Sequence, residues 1–126
     1  MLIDGAAVGS IAAFYAQLNE KLMRGEDWEI GPSLDALNDL LYGGIGALAG
    51  AGRQRWVITD HADMAAALGV ETTRAWLRAK LDPEGPFGRP AIREQLERLE
   101  ASGHATYFEL LLEVFADHPQ VELLLR

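Results

Sequence analysis

Three short β-forming runs, Met1 to Ile3, Arg55-Trp56-Val57-Ile58-Thr59 and Val121 to Leu125, stand far apart in the chain, and apolar residues between them recur at helical spacing. Strands separated by helices cannot pair as hairpins; they pair in parallel through right-handed crossovers. The expected class is therefore α/β: a single domain over residues 1–126, with a three-stranded parallel sheet packed with helices. A length of 126 residues with 49% apolar side chains suffices for one such core, and with no cysteine no disulfide can contribute.

The run Met1 to Ile3 ends at the turn signal Asp4-Gly5. Ser10 can cap a helix in which Ile11, Phe14, Tyr15, Leu18 and Leu22 line one face. After Arg24-Gly25 comes an acidic aromatic loop, Glu26-Asp27-Trp28-Glu29; Gly31-Pro32-Ser33 then stops one element and caps a second helix from about Leu34 to Leu41. Five of the ten residues from Gly43 to Gly52 are glycine, which argues for a loop, since each costs a helix about 1 kcal/mol against alanine. Asp60 is expected to cap a third helix, His61 to Leu68, ended by Gly69. Trp76, Leu77 and Leu81 predict a helix from Glu71 to Leu81, broken by Asp82-Pro83-Glu84-Gly85-Pro86. Ile92, Leu96 and Leu99 mark a further helix, and the last is expected from roughly Ala105 to Ala116, before His118-Pro119. The linker-like segment from Asp82 to Pro90 is too short to separate domains.

The net charge of −8 repels phosphate backbones and favours cationic partners, so direct nucleic-acid binding is not expected. No apolar run approaches a membrane span, and Met1 to Ser10 lacks the basic flank and apolar stretch of a secretory signal, which makes the cytoplasm the expected location. His61, His104 and His118 offer no metal-ligand spacing, and no metal or other cofactor is expected. The glycine-rich stretch after the second helix fits neither phosphate-binding motif, and no serine or cysteine stands in a nucleophile turn. Trp56 and Trp76 read as core; Trp28, in an acidic loop, is the aromatic most suited to an interface.

On the second helix Leu34, Leu37 and Leu41 share one face, while Asp35, Asn38, Asp39 and Tyr42 share another. The positive helix end favours Asp35, but Asp39 lies a turn deeper, where like charges four residues apart cost a few tenths of a kcal/mol. Two readings stand side by side. One is a solvated face in an acidic protein. The other is an anion-presenting surface, with Glu26, Asp27 and Glu29 beside it, in which a rigid helix holds carboxylates where a basic cleft would bind phosphates.

The segment Trp28 to Leu41, WEIGPSLDALNDLL, resembles the signature of the barstar family of ribonuclease inhibitors: an aromatic loop, a glycine, then a helix opening Leu-Asp-Ala-Leu-x-Asp. Both family aspartates find matches in Asp35 and Asp39. The likeness extends to the first strand and helix, to Gly43, to the Trp56 to Thr59 strand, and to the C-terminal helix and strand. The resemblance implies a barstar-like fold in which about Val70 to Gly103 is a helical insertion. It also implies a non-catalytic immunity protein that binds a basic ribonuclease one to one, with the second helix and its loop entering the active site. Asp39 would then occupy the phosphate site. The contact residues implied are Trp28, Glu29, Gly31, Ser33, Asp35, Asn38, Asp39, Tyr42 and Gly43, with Glu113 on the last helix. Two other classes remain open: an acidic interaction or regulatory module with a different basic partner, and a small enzyme using the paired carboxylates.

Overall fold

In a computed structural model, β1 (Leu2–Asp4), β2 (Gln54–Thr59) and β3 (Val121–Leu125) form a parallel sheet in the order β1-β2-β3. The structure describes residues 1–43, 46, 52–81 and 89–126. Among them six α-helices fill the crossovers: α1 (Ile11–Leu22), α2 (Leu34–Leu41), α3 (His61–Ala67), α4 (Val70–Lys80), α5 (Arg89–Ser102) and α6 (Tyr107–Ala116). The protein is thus α/β with a three-stranded parallel sheet, as the spacing of the runs requires.

Alternation along each strand decides which face is buried. Ile3 of β1 and Trp56 and Ile58 of β2 point into a core with Phe14 and Leu18 of α1, Leu37, Leu40 and Leu41 of α2, and Leu111 and Phe115 of α6. Trp56 meets Phe115 edge-on at 5.2 Å. The opposite face is open: Leu2, the half-buried Val57 and the half-buried Leu124 lie in register across it, with Leu2 54% exposed. Inside the core, the hydroxyls of Tyr15 and Tyr107 bond each other at 2.7 Å, and Thr73 Oγ1 accepts the Tyr107 N–H at 2.7 Å, so polar atoms tie α1, α4 and α6 together.

Between residues 70 and 103, α4 and α5 share a small core of their own. Leu77 of α4 packs on Ile92 and Leu99 of α5, and Arg74 pairs with Glu100 across the two helices. Trp76 belongs to both clusters; half-buried rather than fully enclosed, it sets its ring edge-on to Tyr107 at 4.8 Å.

Several boundaries differ from those predicted. Asp4-Gly5 leads into a single 3-10 turn, Gly5–Ala7, and glycine is required there because a Cβ on Gly5 would sit 2.2 Å from the Thr59 carbonyl oxygen. Asp60 precedes α3 as expected but does not cap it with its side chain: it adopts a left-handed backbone, φ 49°, and its carbonyl accepts the first helical N–H groups. The last helix starts at Tyr107, not Ala105. Thr106 and Glu109 form a reciprocal capping box, which fixes the start, and Ala105 turns left-handed before it. Arg89 and Pro90 open α5 instead of closing a linker. The rest of the predicted break, 82–88, and most of the glycine-rich stretch, 44–45 and 47–51, lie outside the described residues.

Candidate functional site: an acidic helix and its loop

Ser33 begins α2 by accepting the Ala36 N–H on its Oγ at 3.0 Å, and Pro32 before it prevents the chain from turning helical earlier. Eight residues later the helix ends where Gly43, at φ 81°, gives its N–H to the Leu40 carbonyl at 3.0 Å. Within this span Leu37, Leu40 and Leu41 are fully buried, which orients the whole element. Asp35 and Asp39, one turn apart on the other side, are consequently exposed. Among the described residues no ion pair involves Asp39, Glu26, Asp27, Glu29 or Glu113.

The loop before α2 is pinned by one residue of α1. Asn19 accepts the Ile30 N–H on Oδ1 at 2.8 Å and donates from Nδ2 to the Ile30 carbonyl at 3.1 Å. That two-point clamp, with the Ile30 side chain buried in the core, leaves Trp28 and Glu29 on the outside. Trp28 is 46% exposed and, with Glu26, Asp27 and Glu29, borders an open cleft of about 410 Å³ against α1. Gly31 is exposed, and its carbonyl receives the Ser33 N–H at 2.9 Å, tightening the approach to the helix.

Asn38 departs from its expected role. It is half-buried, and its Oδ1 lies 2.7 Å from Nε2 of the buried His118, so the amide holds an imidazole in place instead of standing free with the aspartates. Tyr42 rests edge-on against the same ring at 4.7 Å yet stays 71% exposed. Gln120 donates from Nε2 to the Leu41 carbonyl at 3.0 Å, satisfying one of the orphan acceptors at the helix end. Glu113 is exposed on α6, the helix against which α2 packs.

The far end of the acidic face meets α4 and α5. Trp76 and Lys80 of α4 and Gln95 of α5 line a groove of about 350 Å³ with Pro32, Ser33, Leu34 and Asp35. Lys80 holds its ammonium 3.8 Å above the Trp76 ring; burial pushes its pKa down, and attraction to Asp35 works the other way. The structure therefore joins Asp35, Asp39, Ser33, Tyr42 and Gly43 on one rigid element with Trp28, Glu29 and Gly31 before it, and withdraws Asn38 into support. Sequence reasoning missed Asn19, Lys80, His118 and Gln120. His118-Pro119 registered only as a helix stop, and nothing in the spacing of Asn19 marks it as a clamp.

Among the described residues no group of three or more His, Asp or Glu is arranged to hold a metal, and no helix is long and apolar enough to cross a membrane. No protein-family model, no curated protein and no solved structure matches this chain.

Proposed function

We propose that this protein is a barstar-like inhibitor, a cytoplasmic immunity protein that binds a basic ribonuclease one to one and blocks its active site with α2 and the preceding loop. The observation that carries the reading is that Asp35 and Asp39 are both exposed on a helix whose other face is locked into the core. Carboxylates fixed in this way reach a cationic cleft with little further ordering, and the field of a −8 chain speeds the encounter. Asp39 takes the place of a substrate phosphate, Asp35 and Glu29 supply flanking charge, and Trp28 and Tyr42 give aromatic area on either side. Gly31, Ser33 and Gly43 shape the backbone that presents them; Asn38 acts through His118, and Glu113 extends the acidic surface onto α6. The protein performs no catalysis and uses no cofactor.

Titration against basic ribonucleases, beginning with candidate toxins encoded beside it, tests this. Wild type is expected to abolish activity at one equivalent, and Asp39→Ala to weaken binding at least about thirtyfold, the lower range for removing one member of a desolvated charge pair. Thermal stability of the variant should stay within about 0.5 kcal/mol of wild type, because an exposed aspartate away from a cap adds little to folding. Unchanged affinity in Asp39→Ala would remove α2 as the epitope.

A second reading is favoured by the groove beside Asp35. There Trp76 and Gln95 add aromatic and polar surface from α4 and α5 beside the Asp35 carboxylate, which widens the acidic face beyond α2 and suits a module recognising a basic partner other than a nuclease. Such a module would be captured through the same aspartates yet leave every ribonuclease active.

A further inference from the structure

The two edges of the sheet are treated differently. On β1, Gln17 of α1 donates to the Asp4 carbonyl at 2.8 Å and accepts the Asp4 N–H at 3.0 Å, while Lys21 donates to the Leu2 carbonyl, so α1 occupies that edge with its own side chains. On β3, the Gln120 carbonyl accepts from Gln54 at 2.9 Å and the Arg126 N–H donates to Ile58 at 2.9 Å. In a parallel ladder alternate residues address the neighbouring strand, so Gln120, Glu122, Leu124 and Arg126 face β2, and Val121, Leu123 and Leu125 turn their backbone groups outward. His118 already accepts the Val121 N–H at 2.9 Å. The N–H and C=O groups of Leu123 and Leu125 have no hydrogen-bond partner among the described residues. Beside them Leu112, Phe115 and Ala116 of α6 and the inward side chains of β3 border an apolar groove of about 310 Å³, and Leu125 is 39% exposed. No proline, lysine or bulge blunts this edge.

We infer that β3 pairs antiparallel with β3 of a second copy of this chain, about a two-fold axis at Leu124, giving one continuous six-stranded sheet. In this register Leu123 of each copy faces Leu125 of the other as a hydrogen-bonded pair, and all four bonds come from groups that are otherwise unpaired. Centring the axis on Leu123 instead would set Leu125 opposite Val121, whose N–H is taken. The chosen register also places Glu122 opposite Arg126 in the closer, non-hydrogen-bonded type of pair, twice by symmetry. Each Glu122 carboxylate, 3.1 Å from Nε of Arg55 in its own chain, then sits between two guanidinium groups. This charge match is self-complementary, which is why the occupant is a second copy and not a foreign strand. Paired Leu123 and Leu125 cover the groove beside α6, and Leu124 meets its equivalent on the open face, extending the apolar row of Leu2 and Val57.

Sedimentation equilibrium tests it. The mass of the wild type is expected to rise with concentration from 13.8 kDa towards twice that value. Leu125→Pro removes an outward donor without touching the β2 ladder, and should remain monomeric with an unchanged circular dichroism spectrum. Two charge variants act at exposed side chains, and their circular dichroism spectra should match that of the wild type. Glu122→Arg alone and Arg126→Glu alone each set like charges opposite each other and should self-associate at least about tenfold more weakly. An equimolar mixture of the two restores both attractive pairs and should form a mixed dimer at wild-type strength. A wild type that stays at 13.8 kDa up to millimolar concentration overturns the proposal, as does a mixture that associates no better than its components.

Discussion

His118 shows how a single buried polar group decides what its neighbours can do. Its ring is enclosed, one nitrogen is met by Asn38, and Tyr42 leans on its face, so three residues from two distant stretches of the chain hold one another. Asn38→Ala would leave that nitrogen buried without a partner, at a cost of about 1–3 kcal/mol, and would free the Tyr42 ring; Asp39→Ala next door should cost almost nothing. Urea midpoints of the two variants measure the contrast. The Tyr15–Tyr107 pair makes the same point in the core. Burial raises the Tyr15 phenol well above its ordinary range, with the Tyr107 bond adding to the rise, and burial raises Tyr107 as well. Because both folded values lie above those of the unfolded chain, the stability they contribute is complete below about pH 10 and is lost as pH climbs past it. The urea midpoint is therefore expected to fall steeply above about pH 10 in wild type and less steeply in Tyr15→Phe/Tyr107→Phe. At neutral pH each single variant should cost more than half of what the double costs, since each strands the other hydroxyl.

Elements follow from sequence where local and tertiary demands agree. The span of α2 was legible to the residue, because Ser33 caps it, Gly43 ends it, and its leucines recur where the core needs them. The interval of β3 was legible because His118-Pro119 stops the helix and the apolar run Val121 to Leu125 follows it. Where one signal competes with another the boundary shifts. Helical periodicity runs back through Ala105, but the Thr106 and Glu109 capping box fixes the start at Tyr107. Asp60 has a favoured capping side chain, yet close approach of the β1–α1 connection, with Gly5 against the Thr59 and Asp60 carbonyls, accompanies a backbone that aims that side chain elsewhere. In the candidate site the charges were legible and their supports were not. Exposure follows from helix spacing, whereas Asn19 reaching Ile30 or His118 reaching Asn38 depends on tertiary approach across 11 and 80 residues of sequence. Ser33 carries both a structural and a proposed contact role, and substitution separates them. Ser33→Ala should lower stability by about 1 kcal/mol through loss of the cap, and Ser33→Asp should restore stability while changing the partner-facing surface. Thermal denaturation of both variants beside their ribonuclease affinities distinguishes the two contributions.

For the molecule as a whole, the −8 charge acts on its two proposed interfaces with opposite sign. Towards a basic nuclease the field attracts, so association rates should fall steeply as salt rises from about 10 to about 150 mM and the screening length shrinks from about 30 to about 8 Å. Between two copies the same field repels. Charges spread over both surfaces are separated by more than that length at the higher salt, whereas Glu122 and Arg126 meet at contact distance and are screened far less. Self-association through β3 should therefore strengthen across the range in which nuclease capture slows. Stopped-flow association rates and sedimentation equilibrium in the same buffers measure both trends. A nuclease association rate indifferent to salt would leave the aspartates of α2 no steering role, and self-association that weakened with salt would mean that the contact pairs outweigh the repulsion between like-charged copies.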